Sequence, residues 1–467
     1  MDEHRRHNEW SPARDGGRIA RRDMLKAAGA GITWVTAAPY MCLGGPRGEG
    51  QTNEAILGQA GERIEKHRKA AAVLRLVGPD GQELAPGVRF TASQVRHEFL
   101  FGCNIFKLGQ CRTAEDNAGY ENRFAELLNY ATLPFYWWMY ERQKGKPQDE
   151  RSDEIVRWCR AHGITMKGHP LAWNYVDPQW LTGTPEEVME LQFKRVGSCV
   201  KRFRGDIDIW DVVNEATHYD REELKKRAPK LTSAIAGMGI GEYVRGAFKA
   251  AREANPEATL LINDYRTDGA YVDKVLAELV DANGKPLYDV IGIQSHMHAG
   301  AWSAAQTWGV CERFARFGKP LHFTETTVVS GPKKDSAWVT TPEGEQQQAR
   351  AVTEFYTVLF SHPAIEGITW WDFSDQDAWQ RAPAGLVRED MTPKPAYEQL
   401  HDLIKGKWWT RTEAETGSGG RAAFQGFRGR YRVEATVAGR PLAAEFSLRK
   451  DLSAPIDVHL GQGGTGS

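Results

Sequence analysis

The sequence predicts one dominant (β/α)8 barrel of the α/β class, with a small helix and hairpin before it and a short β-strand appendage after it. Three observations lead there. Between residues 98 and 405, short apolar runs alternate with longer amphipathic stretches eight times over, the rhythm of repeated βα units. No Gly-rich phosphate turn follows an early strand, as the rival doubly wound sheet would normally show. The predicted strands from the third to the eighth end in polar or aromatic residues after apolar bodies, as expected where a barrel builds its site.

Residues 1–40 read as an address for export. Arg21-Arg22-Asp23-Met24-Leu25-Lys26 is a twin-arginine pattern, and the apolar run Ala27 to Ala38 ends in the small residues Thr36, Ala37 and Ala38. That run is too short to span a bilayer and suits signal-peptidase cleavage. A periplasmic or extracellular location after export in the folded state is expected, with no membrane attachment once the signal is removed. Cys42 is a weak candidate for lipidation, because Tyr40-Met41 stands where small residues would be needed.

Residues 41–97 are expected to hold a Gly- and polar-rich linker to residue 54, then a charged helix over 56–72. The alternation from Val73 to Val95, around Pro79-Asp80-Gly81, predicts a small hairpin. The barrel follows at 98–405. Its predicted strands are Phe99–Cys103, Tyr130–Phe135, Ile164–His169, Ile207–Val213, Thr259–Asn263, Asp289–Ser295, Pro320–Glu325 and Glu366–Trp371. Helices are predicted near 116–128, 151–162, 185–203, 240–254, 270–283, 303–317, 343–361 and 393–405. In the appendage, 406–467, the alternating runs Tyr431–Val437 and Leu442–Leu448 predict short strands before a Gly-rich end.

Composition narrows the function classes. The 467 residues carry 60 Lys+Arg against 61 Asp+Glu, a net charge of -1, so no general field favours nucleic acid or an anionic membrane. Hydrophobic residues at 41% and charged residues at 26% suit a soluble enzyme, and a monomer is expected. The six cysteines form no CxxC pair and no zinc spacing, so they read as free thiols. No metal or cofactor is expected. Tryptophan is the outlier, 16 beside 18 Phe and 14 Tyr, which points to an aromatic-lined binding surface.

The chemistry concentrates at the strand ends. His169 ends the third strand with Trp173 four residues on, and Asn214-Glu215 ends the fourth. Asn263-Asp264-Tyr265 ends the fifth, Gln294-Ser295-His296 the sixth, Glu325 the seventh and Trp370-Trp371-Asp372 the eighth. Strands four and seven face each other across an eight-fold barrel, so Glu215 and Glu325 form opposed carboxylates. Glycoside hydrolysis needs such a pair, one to protonate the departing oxygen and one to attack or stabilise the cationic anomeric carbon. A gap of about 5–5.5 Å would retain configuration, and about 6.5–9.5 Å would invert it.

These residues sit in motifs with a family resemblance. Trp210-Asp211-Val212-Val213-Asn214-Glu215-Ala216 resembles the acid/base strand of glycoside hydrolase family 10, the xylanase family, and Phe323-Thr324-Glu325 its nucleophile strand. Gly168-His169-Pro170-Leu171-Ala172-Trp173, Ile262-Asn263-Asp264-Tyr265, Ile293-Gln294-Ser295-His296, the stretch from Thr369 to Trp379, and Pro393-Lys394-Pro395-Ala396-Tyr397 follow in family order. The resemblance implies a retaining mechanism on a β-1,4-linked polysaccharide or oligosaccharide such as xylan. Glu325 would be the nucleophile and Glu215 the acid/base. Asn214 would hold the sugar 2-hydroxyl and His296 would bond Glu325. His169, Trp173, Gln294 and Trp371 would line the central sugar site, with Trp379 in an aromatic wall.

Glu215 is expected to have the raised pKa and Glu325 to stay ionised. Where the family usually has Pro-Glu-Asn-Glu-Met-Lys-Trp, this chain reads Pro134-Phe135-Tyr136-Trp137-Trp138-Met139-Tyr140, and Asn174 stands in place of a common histidine. A different β-linked or decorated glycan, or an aryl glycoside, is therefore an alternative substrate. The rival classes are a metal hydrolase using His296 and His298, a redox protein, and a carbohydrate-binding barrel without catalysis. The redox class lacks any dinucleotide loop or cysteine cluster.

Overall fold

The computed structural model describes residues 51–335, 337–450 and 454–462. The twin-arginine stretch, its cleavage region, Cys42 and the last Gly-rich residues lie outside the described residues. Strands β1 (Lys69–Val77) and β2 (Arg89–His97) precede the barrel. The barrel strands are β3 (Leu100–Asn104), β4 (Tyr130–Pro134), β5 (Thr165–His169), β6 (Ile209–Asn214), β7 (Thr259–Asp264), β8 (Val290–Met297) and β9 (Leu321–Val328). A two-strand excursion, β10 (Lys333–Lys334) and β11 (Ala337–Trp338), comes before the last barrel strand, β12 (Ile365–Trp370). After the barrel run β13 (Arg411–Glu415), β14 (Arg421–Phe427), β15 (Gly429–Val437), β16 (Arg440–Leu448), β17 (Ile456–His459) and β18 (Gly461–Gln462).

The parallel barrel closes as β12-β3-β4-β5-β6-β7-β8-β9, giving the TIM-barrel architecture that the βα rhythm predicts. Its strands are buried almost throughout, because helices cover the outside and side chains fill the inside. Close packing forces glycine at several strand positions, Gly168 the tightest among the barrel strands. A Cβ on Gly168 would lie 2.1 Å from the Trp210 ring, so the indole can rest against β5 only where no side chain stands. The helices begin on good signals, such as the Thr184 capping box with Glu187 ahead of Pro185–Arg202.

Two helical expectations change. The helix predicted over 270–283 is cut to a short turn, Gly269–Tyr271, running into a wide turn, Val272–Leu276. The Asp281 side chain accepts from the N–H groups of Asn283 at 2.8 Å and Lys285 at 3.0 Å, a local alternative to helix. The loop after β6, in contrast, holds two unpredicted helices, Glu222–Arg227 and Pro229–Met238.

The flanking pieces correct the reading more strongly. The first helix divides into Asn53–Gly58 and Ala60–Arg68 and ends before residue 72, since Lys69 already begins β1. β1 and β2 do not form a hairpin; a lone bridge between Val77 and Glu83 is all that brackets the Pro79 turn. β1 pairs antiparallel with β14 and parallel with β17, while β2 lies between β13 and β15 in a five-stranded sheet. Both sheets share one apolar core in which Leu74, Leu76, Phe90, Tyr431, Val433 and Leu448 are buried. What reads as two appendages is one β-sandwich made by both ends of the described chain. Alternation shows that a strand has an apolar face but not which distant strand will cover it.

The sandwich docks where the barrel strands begin, opposite their polar ends. Arg68 is buried and donates to the carbonyls of Phe360 at 2.6 Å and His362 at 2.5 Å, with its guanidinium 4.8 Å from the Phe99 ring centroid. Burial lowers its pKa to about 9. Trp408 stacks on Phe360 with centroids 4.2 Å apart. Among the described residues, no helix is long and apolar enough to cross a membrane, and the cysteines form no disulfide.

Arg68→Met keeps the apolar stem but strands two carbonyls. The expected loss is about 1.5–3 kcal/mol, read as a lower urea midpoint. A midpoint equal to wild type would rule out Arg68 as the anchor.

Candidate active site

Three irregularities in the barrel ladder lie where the strands approach the mouth. Register shifts occur between Asp211 and Val213 on β6, between Ile293 and Gln294 on β8, and between Ile368 and Trp370 on β12. Such bulges re-aim side chains near active sites. On β8 and β9 the shift sets Gln294 beside Glu325. Glu215 follows β6 with φ 53° and ψ 38°, left-handed backbone that a non-glycine residue adopts at some cost. Its N–H donates to the Asn263 carbonyl at 2.8 Å, and the next turn is tied down by Thr217 N–H donating to Asp264 at 3.0 Å.

The polar side chains form one frame. Asn263 Nδ2 donates to Asn214 Oδ1 at 2.7 Å and to Glu325 Oε1 at 2.9 Å, while Thr324 Oγ1 donates to Asn263 Oδ1 at 2.5 Å. Gln294 Nε2 donates to the same Asn214 oxygen at 3.3 Å and to Glu215 Oε1 at 3.2 Å. Asn214 and Glu215 on one side are thus linked to Glu325 on the other through two amides. His296 Nε2 lies 3.2 Å from Glu325 Oε2, and His169 Nε2 lies 3.8 Å from Glu325 Oε1. Burial lowers the His296 pKa to about 4, so the ring is neutral at pH 7. Thr327 Oγ1, 3.3 Å from Nδ1, suits the tautomer that carries its hydrogen on Nε2.

Beneath the mouth lies a buried charge group. Asp211 Oδ2 is 2.7 Å from Lys167 Nζ and 2.8 Å from His169 Nδ1, and both Lys167 and Asp211 are wholly buried. Burial alone would raise the Asp211 carboxyl, but Lys167 and His169 outweigh it and hold the carboxyl below its usual range. Glu325 behaves oppositely. Burial pushes its carboxyl up to about 7 against the pull of His169, and the Glu215 charge adds to the rise. Sequence reasoning expects Glu325 to stay ionised; its burial instead favours the neutral form and raises the carboxyl.

Rings surround this frame. Trp371 stands edge-on to His169 at 5.3 Å and His296 at 6.0 Å, and Trp379 packs on His296 at 4.6 Å. Tyr136 reaches His169 at 5.6 Å and Trp173 at 6.0 Å, and Trp173 stacks on Tyr175 at 4.4 Å. All nine predicted site residues therefore meet in one contact network. Several of its buried polar atoms make no hydrogen bond: His169 Nε2, Asn214 Nδ2, Trp138 Nε1, Trp173 Nε1 and His298 Nε2. Asn174 is buried and donates to the Tyr219 carbonyl at 2.7 Å and to Thr232 Oγ1 at 2.8 Å, so it braces the loop after β6. The residues missed from sequence are Asn263, Asp211 and Lys167, which lay in or beside the motifs, and Arg221, for which no signal existed.

Asp211→Asn would leave the Lys167 ammonium buried without its counter-charge. An expected cost of about 3–5 kcal/mol would appear as a lower urea midpoint. Wild-type stability in that variant would show that the pair is not needed.

The model of glycosyl hydrolase family 10 matches residues 107–403. Among curated proteins, the chain is 27% identical over 388 residues to the anti-sigma-I factor RsgI6 of Acetivibrio thermocellus, covering 82% of this chain and 47% of that protein. It is 29% identical over 279 residues to endo-1,4-beta-xylanase 3 of Hypocrea jecorina, covering 58% of this chain and 73% of the xylanase. The chain thus spans about half the length of the first relative. The barrel resembles the crystal structure of xylanase 10B from Thermotoga petrophila in complex with xylobiose. The TM-score is 0.56 at 24% identity, over 66% of this chain and 95% of that one. Xylanase 10B from Thermotoga maritima gives a TM-score of 0.55 at 23% identity, over 66% and 96% of the two chains, and the two likenesses speak for the fold. By the match over most of its barrel, the chain belongs to glycosyl hydrolase family 10.

Proposed function

We propose that the protein hydrolyses a β-1,4-linked glycan of the xylan type by double displacement with retention. The observation that supports this best is the shared frame: Asn263 holds Glu325 and Asn214, and Gln294 holds Asn214 and Glu215. Both carboxylates are thereby fixed relative to one sugar position. In the first step Glu325 attacks the anomeric carbon while the glycosidic oxygen takes a proton from Glu215. In the second, water attacks that carbon, gives its proton to Glu215 and releases Glu325. Asn214 Nδ2, which has no protein partner, suits the 2-hydroxyl contact that strengthens as the ring flattens. His169, Trp371 and Trp379 supply the walls.

The non-reducing side supports a departure from ordinary xylan recognition. Phe135 and Trp137 turn into the barrel core, and Tyr136 and Met139 pack with Phe106 and Trp371. Rings and a thioether stand where the family's carboxylates, amide and lysine would bond a second sugar, so recognition there rests on stacking. An aryl glycoside or a differently decorated β-glycan fits such a surface. The Arg21-Arg22 pattern supports export in the folded state to the periplasm or beyond. A second reading, glycan sensing without cleavage, is favoured by the anti-sigma factor among the relatives. A glycan panel separates the two, since binding without hydrolysis on every member would establish the sensor.

Glu325→Gln is expected to abolish turnover with the fold intact, and NMR of the first-formed anomer should show retention. Residual turnover in that variant, or an inverted product, would sink the mechanism. The pH profile offers a second check. A carboxyl raised to about 7 is protonated just below neutrality, and a nucleophile must be ionised, so kcat/KM should fall as pH drops through about 7. A flat profile down to about pH 5 would contradict the raised Glu325 carboxyl.

A further inference from the structure

The loop after β6 sets a cation directly on Glu215. Arg221 Nη2 donates to Glu215 Oε2 at 2.5 Å, while Gln294 fills Oε1. Both carboxylate oxygens therefore face donors, an arrangement that suits the ionised group and leaves no place for an acid proton. Under the reading in which Glu215 is the acid/base, this resting pair must open before a leaving oxygen can be protonated. On that reading the guanidinium occupies Glu215 Oε2, an oxygen that has to face the departing sugar.

Arg221 is placed to open. Its side chain is 30% exposed against 11% for Glu215, so water and ligand reach the guanidinium from outside the pair. The guanidinium lies over the Tyr265 ring, 5.2 Å from its centroid, a cation–π contact that does not depend on Glu215. Tyr265 is itself held, with its hydroxyl 2.5 Å from His218 Nδ1. The neighbouring Arg266 is already engaged by Asp268 and lies 3.2 Å from His218 Nε2. A planar fork of donors at the rim matches a carboxylate, because two parallel N–H···O bonds fit both oxygens.

We propose that Arg221 recognises a carboxylate on the departing sugar, which makes uronic-acid-bearing glycans the preferred substrate class. The guanidinium passes from Glu215 to the substrate carboxylate. Glu215 Oε2, relieved of its counter-charge, takes a proton from solvent and delivers it to the glycosidic oxygen. Arg221 is thus a specificity-determining residue that also positions the acid. A neutral leaving group offers the guanidinium no exchange partner and has to displace it unaided. The inference rests on the acid/base reading of Glu215.

The test uses the full chain and a matched pair of ligands: a xylo-oligosaccharide bearing glucuronic acid on the leaving-group side, and the same molecule with its carboxyl reduced. In wild type, kcat/KM for the acid should exceed that for its reduced twin by about tenfold or more. The ratio should fall to about one in Arg221→Gln and be intermediate in Arg221→Lys, whose point charge lacks the fork. Calorimetry on Glu325→Gln, with and without Arg221→Gln, should show the same dependence in Kd, so the test does not need turnover. Ratios near one in wild type, or ratios unchanged by Arg221→Gln, would overturn the proposal. Turnover surviving in Glu325→Gln would instead overturn the hydrolytic mechanism and leave the calorimetric arm to decide Arg221.

Discussion

Two hydrogen bonds from one side chain define the mouth of the barrel. Asn263 Nδ2 reaches Asn214 on one side and Glu325 on the other, and its own oxygen is held by Thr324. A primary amide has two N–H bonds in one plane, so occupying both fixes its partners relative to each other. Gln294 repeats the device between Asn214 and Glu215. Four strands are thereby locked at their ends by two amides, and the ladder bulges below them turn the side chains inward. The left-handed backbone at Glu215 is tolerable because these contacts hold it.

Charge at the site is arranged by depth. At the bottom, Lys167 balances Asp211, whose other contact orients His169. His169 then faces Glu325, so a positive charge in β5 is felt two carboxylates away through a chain of buried groups. Glu325 is buried enough that its ionised form is costly, and a cationic reaction centre would lower that cost. Glu215 lies nearer the rim and has Arg221 for company. Two carboxylates of the same chemical type are thus differentiated by what surrounds them, the general way in which one site separates acid and base roles.

The sandwich serves the barrel from the other end. His97 of β2 and Phe427 of β14 pack on Phe360, just before the last barrel strand begins and away from the strand ends that carry the site. Because its sheets draw on strands from before and after the barrel, neither end of the described chain can pack without the other. The barrel is inserted between segments that pair with each other.

Much of this was legible in the residues themselves. The eight strands follow from apolar runs in the βα rhythm, and their observed bounds differ from expectation by only a few residues. Glu215 and Glu325 were visible as carboxylates ending apolar strands that face each other, while the other seven predicted site residues took their roles from the resemblance of their motifs to glycoside hydrolase family 10. The hairpin reading of 73–95 failed because β1 and β2 find partners more than three hundred residues away in sequence, and local alternation carries no such address. Arg221 was invisible for a related reason: an arginine in a charged loop looks like any solvated cation until folding sets it on Glu215. Composition and periodicity determined the barrel, its polar rim and the identity of the opposed glutamates, since these depend on what each short segment must bury. Only the tertiary structure decided that burial raises the Glu325 carboxyl, which cation rests on Glu215, and how the chain ends combine, because burial and charge pairing depend on neighbours that the fold alone brings together.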